Sequence, residues 1–400
     1  MIVTIFIRPK KINEAVWAVA GAAALVAFGL LPWRSALSAL ERGTGIYLFL
    51  IGMMILAEIA RTEGLFAWAA AAALRASRGS QFRLFALVYL VGIVVTALLS
   101  NDATAVVLTP AVYAALARTN VKPLPYLFVC AFIANAASFV LPISNPANLV
   151  VFASHLPLLR TWIDAFGIPS IVAIAGTFFF LYLDSRASLR GTFLKDGADG
   201  GLSRGGKVAL AAVSIASIVL VTVAWLGMPI GITTLALGLG SIAAVAFADR
   251  NAPALVLKHI SWTVVPLVGG LFVIVAALDR SGALRAATAF LSYAQTLAPV
   301  FGNLLVGSVV GLGSNVLNNL PVGLISGIAL SNSAPAAHIV HATLIGVDLA
   351  PNLSVTGSLA TILWLVALRR EGVEVTAWRF LRTGAIVLIP TLILTLVVVR

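Results

Sequence analysis

Charge is scarce in this chain of 400 residues: Asp, Glu, Lys and Arg together make up 10% of it. That share is well under half of what a water-soluble domain carries, which excludes an ordinary soluble protein. Cys130 is the only cysteine, so neither a disulfide framework nor a thiolate metal cluster is available. Long polar stretches are missing too, with one exception, "LDSRASLRGTFLKDGADGGLSRGGK" at 183–207, which reads as a solvated linker. A membrane-bound sensor would be expected to carry a soluble output domain, and this stretch does not read as one. The start, "MIVTIFIRPKK", has its apolar part ahead of its charges, the reverse of a signal peptide, and is expected to be retained. A formal net charge of +12 would suggest nucleic acid as partner in a soluble protein. Here most Lys and Arg stand between apolar runs, where they report topology instead, and no nucleic-acid partner is expected.

What is present is apolar surface. Hydrophobic residues fill 61% of the positions and mean hydropathy is +1.07. Runs near the roughly 20 residues needed to cross a bilayer occur at 12–31, 44–60, 168–183, 207–226, 229–248, 261–278 and 380–399. Three further apolar regions, 82–118, 126–156 and 299–370, are interrupted by polar residues or Gly and Pro. The fold class that follows is an all-α polytopic membrane protein with about nine full spans.

The halves on either side of the polar stretch match at nearly constant offset. "IGMMILAEIARTEGLF" pairs with "GGLFVIVAALDRSGAL", which puts Gly64 on Gly282, an offset of 218. "SNDATAVV" pairs with "LNNLPVGL", which puts Asn101 on Asn318, an offset of 217. "IANAASFVLPISNPANLV" pairs with "IGVDLAPNLSVTGSLATI", which puts Asn135 on Asp348, Asn145 on Ser358 and Asn148 on Thr361, an offset of 213. Three matches in one order point to a duplication. The helix from Leu65 spans only about 18 Å, too short to cross. With 82–118 and 299–331 as re-entrant hairpins, the number of crossings between the copies is odd, so they are inverted. The expected organisation is a first inverted repeat at 1–183, with its hairpin at 82–118 and a broken helix at 126–156. A cytoplasmic linker plus connecting helix follows at 184–228. The second inverted repeat is 229–400, with its hairpin at 299–331 and a broken helix at 336–370. This arrangement places 20 of the 26 Lys and Arg on the N-terminal side. The positive-inside rule then makes that side cytoplasmic and the protein a multi-pass protein of the inner membrane.

Only Glu14, Glu58, Asp102 and Asp348, of 14 acids, fall within the expected membrane segments. Glu14 and Glu58 lie close enough to span ends to reach the interface. Asp102 and Asp348 do not, and an ionised carboxylate at that depth costs about 2.5 to 3.5 kcal/mol or more. They should therefore face a cavity. Polar residues interrupt the helices at four places: Ser100, Asn101 and Thr104; Asn318, Asn319 and Pro321; Ser144, Asn145, Pro146 and Asn148; and Ser358 with Thr361. Unwound backbone is tolerated at membrane depth only where it lines a cavity, and broken helices of inverted repeats hold substrate near the midplane. Such residues also join helices by hydrogen bonds alone, but four breaks in symmetric positions favour a site.

"SNDATAVVLTP", "ISNPANLV", "LNNLP", "GVDLAP" and "GSLATILWL", in that order, resemble the arsenite permease family of the ion transporter superfamily, from about Arg8 to the C-terminus. The resemblance implies a secondary carrier that exports arsenite or antimonite in exchange for protons, in some members with a cytoplasmic ATPase as partner; wider relatives are often homodimers. Two departures stand out: the family generally begins with a full extra span where this chain has "MIVTIFI", and the position of Asn135 is often acidic in the family.

Arsenite is mainly an uncharged trihydroxide at neutral pH, so a pocket of hydroxyls, amides and backbone groups suits it. The expected substrate-binding set is Ser100, Asn101, Thr104, Ser144, Asn145, Asn148, Asn318, Asn319, Ser358 and Thr361. Asp102, Asp348 and Glu58 are the expected proton carriers, and no cofactor is required. A sodium/proton antiporter, or another carrier of the superfamily, would use the same oxygens. Organic anions are disfavoured, since no Arg or Lys lies near the breaks in sequence. An intramembrane aspartyl protease would also need two buried aspartates, but it predicts no inverted duplication. His338 and His341 lack a third metal ligand nearby. Trp17, Trp33, Trp162, Trp225, Trp262 and Trp378 stand near span ends, as interfacial anchors do.

Overall fold

The computed structural model describes residues 14–117, 119–152, 156–193 and 201–400. The start through residue 13, Arg118 and Lys195 lie outside the described residues. The first half contains α1 (Glu14–Ala27), α2 (Trp33–Arg42), α3 (Thr44–Thr62), α4 (Leu65–Ala76), α5 (Gln81–Leu98), α6 (Asn101–Ala103), α7 (Thr109–Leu116), α8 (Leu124–Ala136), α9 (Pro146–Val151) and α10 (Leu159–Ser185). The second contains α11 (Arg204–Leu226), α12 (Ile230–Ala246), α13 (Ala252–His259), α14 (Val264–Arg280), α15 (Arg285–Ala294), α16 (Pro299–Leu317), α17 (Asn319–Ser333), α18 (Ala337–Leu349), α19 (Leu359–Arg370) and α20 (Ala377–Val397).

The chain is an all-helical polytopic membrane protein. By length and composition, seven stretches among the described residues suffice to cross a bilayer: Thr44–Thr62, Gln81–Leu98, Leu159–Ser188, Arg204–Leu226, Ala252–Arg280, Pro299–Leu317 and Ala377–Val397. Within the apolar run at 12–31, α1 ends at Ala27, because Gly29 turns the backbone left-handed at φ 70° and Pro32 follows. Conversely, the run at 168–183 lies in a longer helix, α10, that begins at Leu159 and carries Pro169 inside it. Caps set several starts: Ser80 Oγ accepts from Arg83 N (3.3 Å), Ser203 Oγ from Gly206 N (2.9 Å) and Thr376 Oγ1 from Arg379 N (3.1 Å). The linker is not wholly solvated. Gln81 N donates to Gly191 O (3.4 Å), Phe193 N to Gly79 O (2.9 Å), and Leu189 and Phe193 are buried.

Packing pairs recur between the halves. α3 packs on α12 as α14 packs on α1; α5 meets α8 as α16 meets α18; α4 meets α7 as α15 meets α17; and α10 lies along α20. Small residues make the first two crossings possible. A Cβ on Gly52 would run into the backbone of Thr234 and Leu235, and one on Gly270, 218 positions later, into the backbone of Ala18. Without a hydrophobic drive between helices in lipid, such close backbone approach supplies the attraction. Gly52→Ala and Gly270→Ala are each expected to cost roughly 1 to 3 kcal/mol, read as a lowered melting temperature of the detergent-solubilised protein; unchanged melting would mean that these crossings are not close-packed.

Trp162 departs from expectation. Its side chain is fully buried and Nε1 donates to Phe139 O (3.0 Å), so it fastens the loop after α8 instead of anchoring at an interface. Trp33, Trp225, Trp262 and Trp378 are exposed.

Candidate functional site

All four sequence breaks become helix starts. Ser100 Oγ accepts from Ala103 N (3.1 Å), Asn145 Oδ1 from Ala147 N (3.0 Å), Asn318 Oδ1 from Leu320 N (3.3 Å) and Ser358 Oγ from Thr361 N (3.1 Å). Each side chain replaces a partner missing at a helix N-terminus. Asn145 and Ser358 occupy equivalent places, as their offset of 213 implies. In the hairpins the caps pair Ser100 with Asn318, which puts Asn101 on Asn319, one residue away from the match of Asn101 to Asn318. The corrected offset is 218, the value that also relates Gly64 to Gly282. Asn318 holds φ 75° and ψ 151°, a conformation costly for any residue with a Cβ. Asn319 N, donating to Gly357 O at 2.9 Å, ties this strained tip to the opposite break.

A cavity of about 530 Å³ lies between α3, α7, α13 and α19. Its charged end holds Glu58, Arg61, His259, Arg370 and Glu371, at the C-terminal ends of α3, α13 and α19. Arg61 Nε is 2.9 Å from both Glu58 carboxylate oxygens, Arg61 Nη2 pairs with Oε1, and His259 Nδ1 is 3.8 Å from the same carboxylate. Deeper in, Ser100, Asp102 and Pro146 line the wall. Beyond them a space of about 20 Å³ is bounded by Asn101, Asp102, Asn145, Asn319 and Ser358, so all four breaks meet at one point. That space has room for about one water. No Lys or Arg borders it. The wall near Asp102 is irregular: the helix opens into a π turn at Thr104–Leu108, where Pro110 has no N–H for the carbonyl four residues before it.

The expected site residues divide by whether they border the cavity. Ser100, Asn101, Asp102, Asn145, Asn319 and Ser358 border the cavity or its narrow end, and Glu58 its mouth. Thr104, Ser144, Asn148, Asn318 and Thr361 are not among the residues that border it. Thr104 Oγ1 bonds Thr96 Oγ1 (2.7 Å), and Ser144 Oγ donates to Ala97 O (3.1 Å). Asn148 Nδ2 reaches the carbonyls of Ser138 (2.8 Å), Leu141 (3.2 Å) and Pro142 (3.3 Å), which pins the loop before α9. Thr361 Oγ1 pairs with Ser358 Oγ (2.8 Å).

Asp348 is fully buried one layer behind the cavity. Its Oδ1 accepts from Asn145 Nδ2 (2.8 Å), and its Oδ2 lies 2.8 Å from Ser138 Oγ. Ser138 Oγ is also 2.8 Å from Asn135 O. A hydroxyl has one hydrogen for these two acceptors, so it serves both only when Asp348 carries a proton and donates to Oγ. Next to it, Asn135 Nδ2 donates to Asn352 Oδ1 (2.9 Å) and Asn352 Nδ2 to Phe132 O (3.0 Å), while Asn135 Oδ1 has no donor among the described residues. Ser138 and Asn352 escaped sequence reasoning. Counted at the offset of 213, their counterparts are Pro351 and Phe139, so comparing the halves gives no signal at either position. His338 and His341 do not converge on a metal site: their Nδ1 atoms meet Asn303 Oδ1 (2.7 Å) and Arg400 O (3.0 Å).

Apolar helices enclosing a cavity with a charged mouth that ends where helices break define a membrane transporter, not an enzyme. The chain belongs to the CitMHS citrate transporter family, whose model matches residues 1–371. It is 30% identical over 369 residues to the arsenical pump membrane protein of Yersinia enterocolitica, covering 86% of this chain and 83% of that one. With an arsenical pump membrane protein of Escherichia coli the identity is 30% over 363 residues, at the same coverage. The YdaH transporter of Alcanivorax borkumensis, whose crystal structure has an unusual topology, shares the fold with a TM-score of 0.59 at 15% identity, over 92% of this chain and 86% of that one.

Proposed function

We propose that this transporter exports arsenite or antimonite from the cytoplasm in exchange for protons, and that its two halves are inverted copies. The observation that carries this reading is the convergence of four capped helix starts on one narrow point, bordered by Asn101, Asp102, Asn145, Asn319 and Ser358 and reached from a wide cavity. Helix N-termini add partial positive charge there, which favours the oxygens of a neutral or partly deprotonated trihydroxide. The charged mouth, with Arg61 and Arg370, belongs to the side that the positive-inside rule makes cytoplasmic, so this conformation is open inward. A space of about 20 Å³ is too small for a trihydroxide. Substrate therefore waits in the wide part, near Ser100 and Asp102, until the hairpin tips separate.

Asp102 faces the cavity directly and takes the proton from it. Asp348 exchanges its proton behind Asn145, and Ser138 reorients as it does. Glu58, fixed by Arg61, serves the mouth and is the outermost of the three carboxylates.

A second reading, an organic-acid carrier, is favoured by the description of the family and by Arg61 and Arg370 in the same cavity as the breaks. Uptake into inverted vesicles under an imposed pH gradient separates the readings. Arsenite and antimonite should accumulate and leak out when a protonophore removes the gradient. Sodium-driven proton movement without arsenite transport, or accumulation of citrate in its place, would overturn the assignment.

A further inference from the structure

The second pocket lies far from the breaks. It occupies about 350 Å³ between α2 and the C-terminal end of α14, and its polar lining is Arg34, Ser35, Ser38, Arg42, Asp279 and Arg280. Arg34, Ser38 and Arg42 are four residues apart and share one face of α2. Ala36 and Ala39, on another face, are buried against the core. Of the six basic residues placed opposite the cytoplasmic side, three meet in this one pocket. The positive-inside rule works against them there, which asks for a compensating interaction. Among the described residues, none of the three guanidiniums forms an ion pair. Asp279 accepts a hydrogen bond from Asn332 Nδ2 (3.3 Å) and leaves an excess of positive charge.

We propose that this pocket binds the phosphodiester of an anionic phospholipid of the outer leaflet. Guanidiniums meet phosphate oxygens in bidentate fashion, and the two serine hydroxyls can donate to the same group. A free phosphate would satisfy that chemistry equally well. The surroundings favour lipid: Phe28, Leu30 and Trp33 are 80%, 66% and 63% exposed beside the pocket, at the level where interfacial aromatic residues sit. Arg34 lies over the Trp33 ring at 5.5 Å, which links the charged lining to the apolar rim. The headgroup occupies the pocket while its acyl chains run along the exposed apolar residues of α2.

The test is native mass spectrometry of the full-length protein with phosphatidylglycerol, phosphatidylcholine or inorganic phosphate. Phosphatidylglycerol should be retained in preference to phosphatidylcholine. Each arginine removed should weaken retention about fivefold, and Arg34→Gln, Arg42→Gln and Arg280→Gln together about a hundredfold. If the triple variant fails to assemble, Arg42→Gln alone, which leaves Arg34 on Trp33, should still show the fivefold loss. Equal retention of the two lipids, unchanged retention in the variants, or inorganic phosphate displacing phosphatidylglycerol at similar concentration would each overturn the proposal.

Discussion

Asp348→Asn is expected to abolish proton-driven arsenite efflux while leaving the protein assembled in the membrane. The amide has the volume of the carboxyl and reproduces the pattern of the protonated acid: Oδ1 accepts from Asn145 Nδ2, and Nδ2 donates to Ser138 Oγ, which keeps its own hydrogen for Asn135 O. No ionised group then needs burial at this depth, so stability should stay within about 1 kcal/mol of the parent or rise. Proton exchange, however, has lost its group. Inverted vesicles should pass arsenite down its own gradient but fail to accumulate it under a pH gradient. Asp348→Leu gives the contrast, because it strands the Asn145 amide while the Ser138 hydroxyl keeps only Asn135 O, and the buried unpaired donor costs about 1 to 3 kcal/mol. Accumulation by Asp348→Asn equal to the parent would remove Asp348 from coupling.

The broad architecture was legible because membrane burial writes itself into composition. A charged share of 10% and repeated apolar runs leave little choice of fold class. The breaks were legible as well, since Asn, Ser and Pro in apolar surroundings have few structural uses. What could not be read was which way each polar side chain turns. Asn145 and Asn148 stand three apart in one motif, yet Asn145 borders the cavity while Asn148 holds three carbonyls of its own loop. That choice is made by the conformation of residues 138–142, which no periodicity encodes. The Asn135–Asn352 pair was hidden for a different reason. Its members are 217 residues apart and do not occupy equivalent positions in the two halves, so comparing one half with the other does not bring them together. Arg61 and Arg370 looked remote from the breaks in sequence, but helices α3 and α19 bring both to the same cavity as Ser100 and Asp102.

Asn145 does two jobs at once, and two substitutions separate them. Its Oδ1 caps α9 through Ala147 N, and its Nδ2 carries the hydrogen bond to Asp348. Asn145→Ser keeps a capping oxygen as good as the native one, as Ser358 does at the equivalent start of α19. A serine is too short to cap the helix and reach Asp348 together. The variant should therefore hold α9 in place, lose about 1 to 3 kcal/mol for the missing donor on a buried acid, and transport arsenite without proton coupling. Asn145→Ala loses the cap as well, about 1 kcal/mol more, and frees the start of α9 beside Pro146 and the narrow end of the cavity. Transport itself should then fail. The two variants are compared by melting in detergent and by vesicle accumulation under the same pH gradient. Coupling intact in Asn145→Ser would mean that protons reach Asp348 by a route that bypasses the cavity, and Asp102 would then be left as the carboxylate that meets substrate and proton in one space.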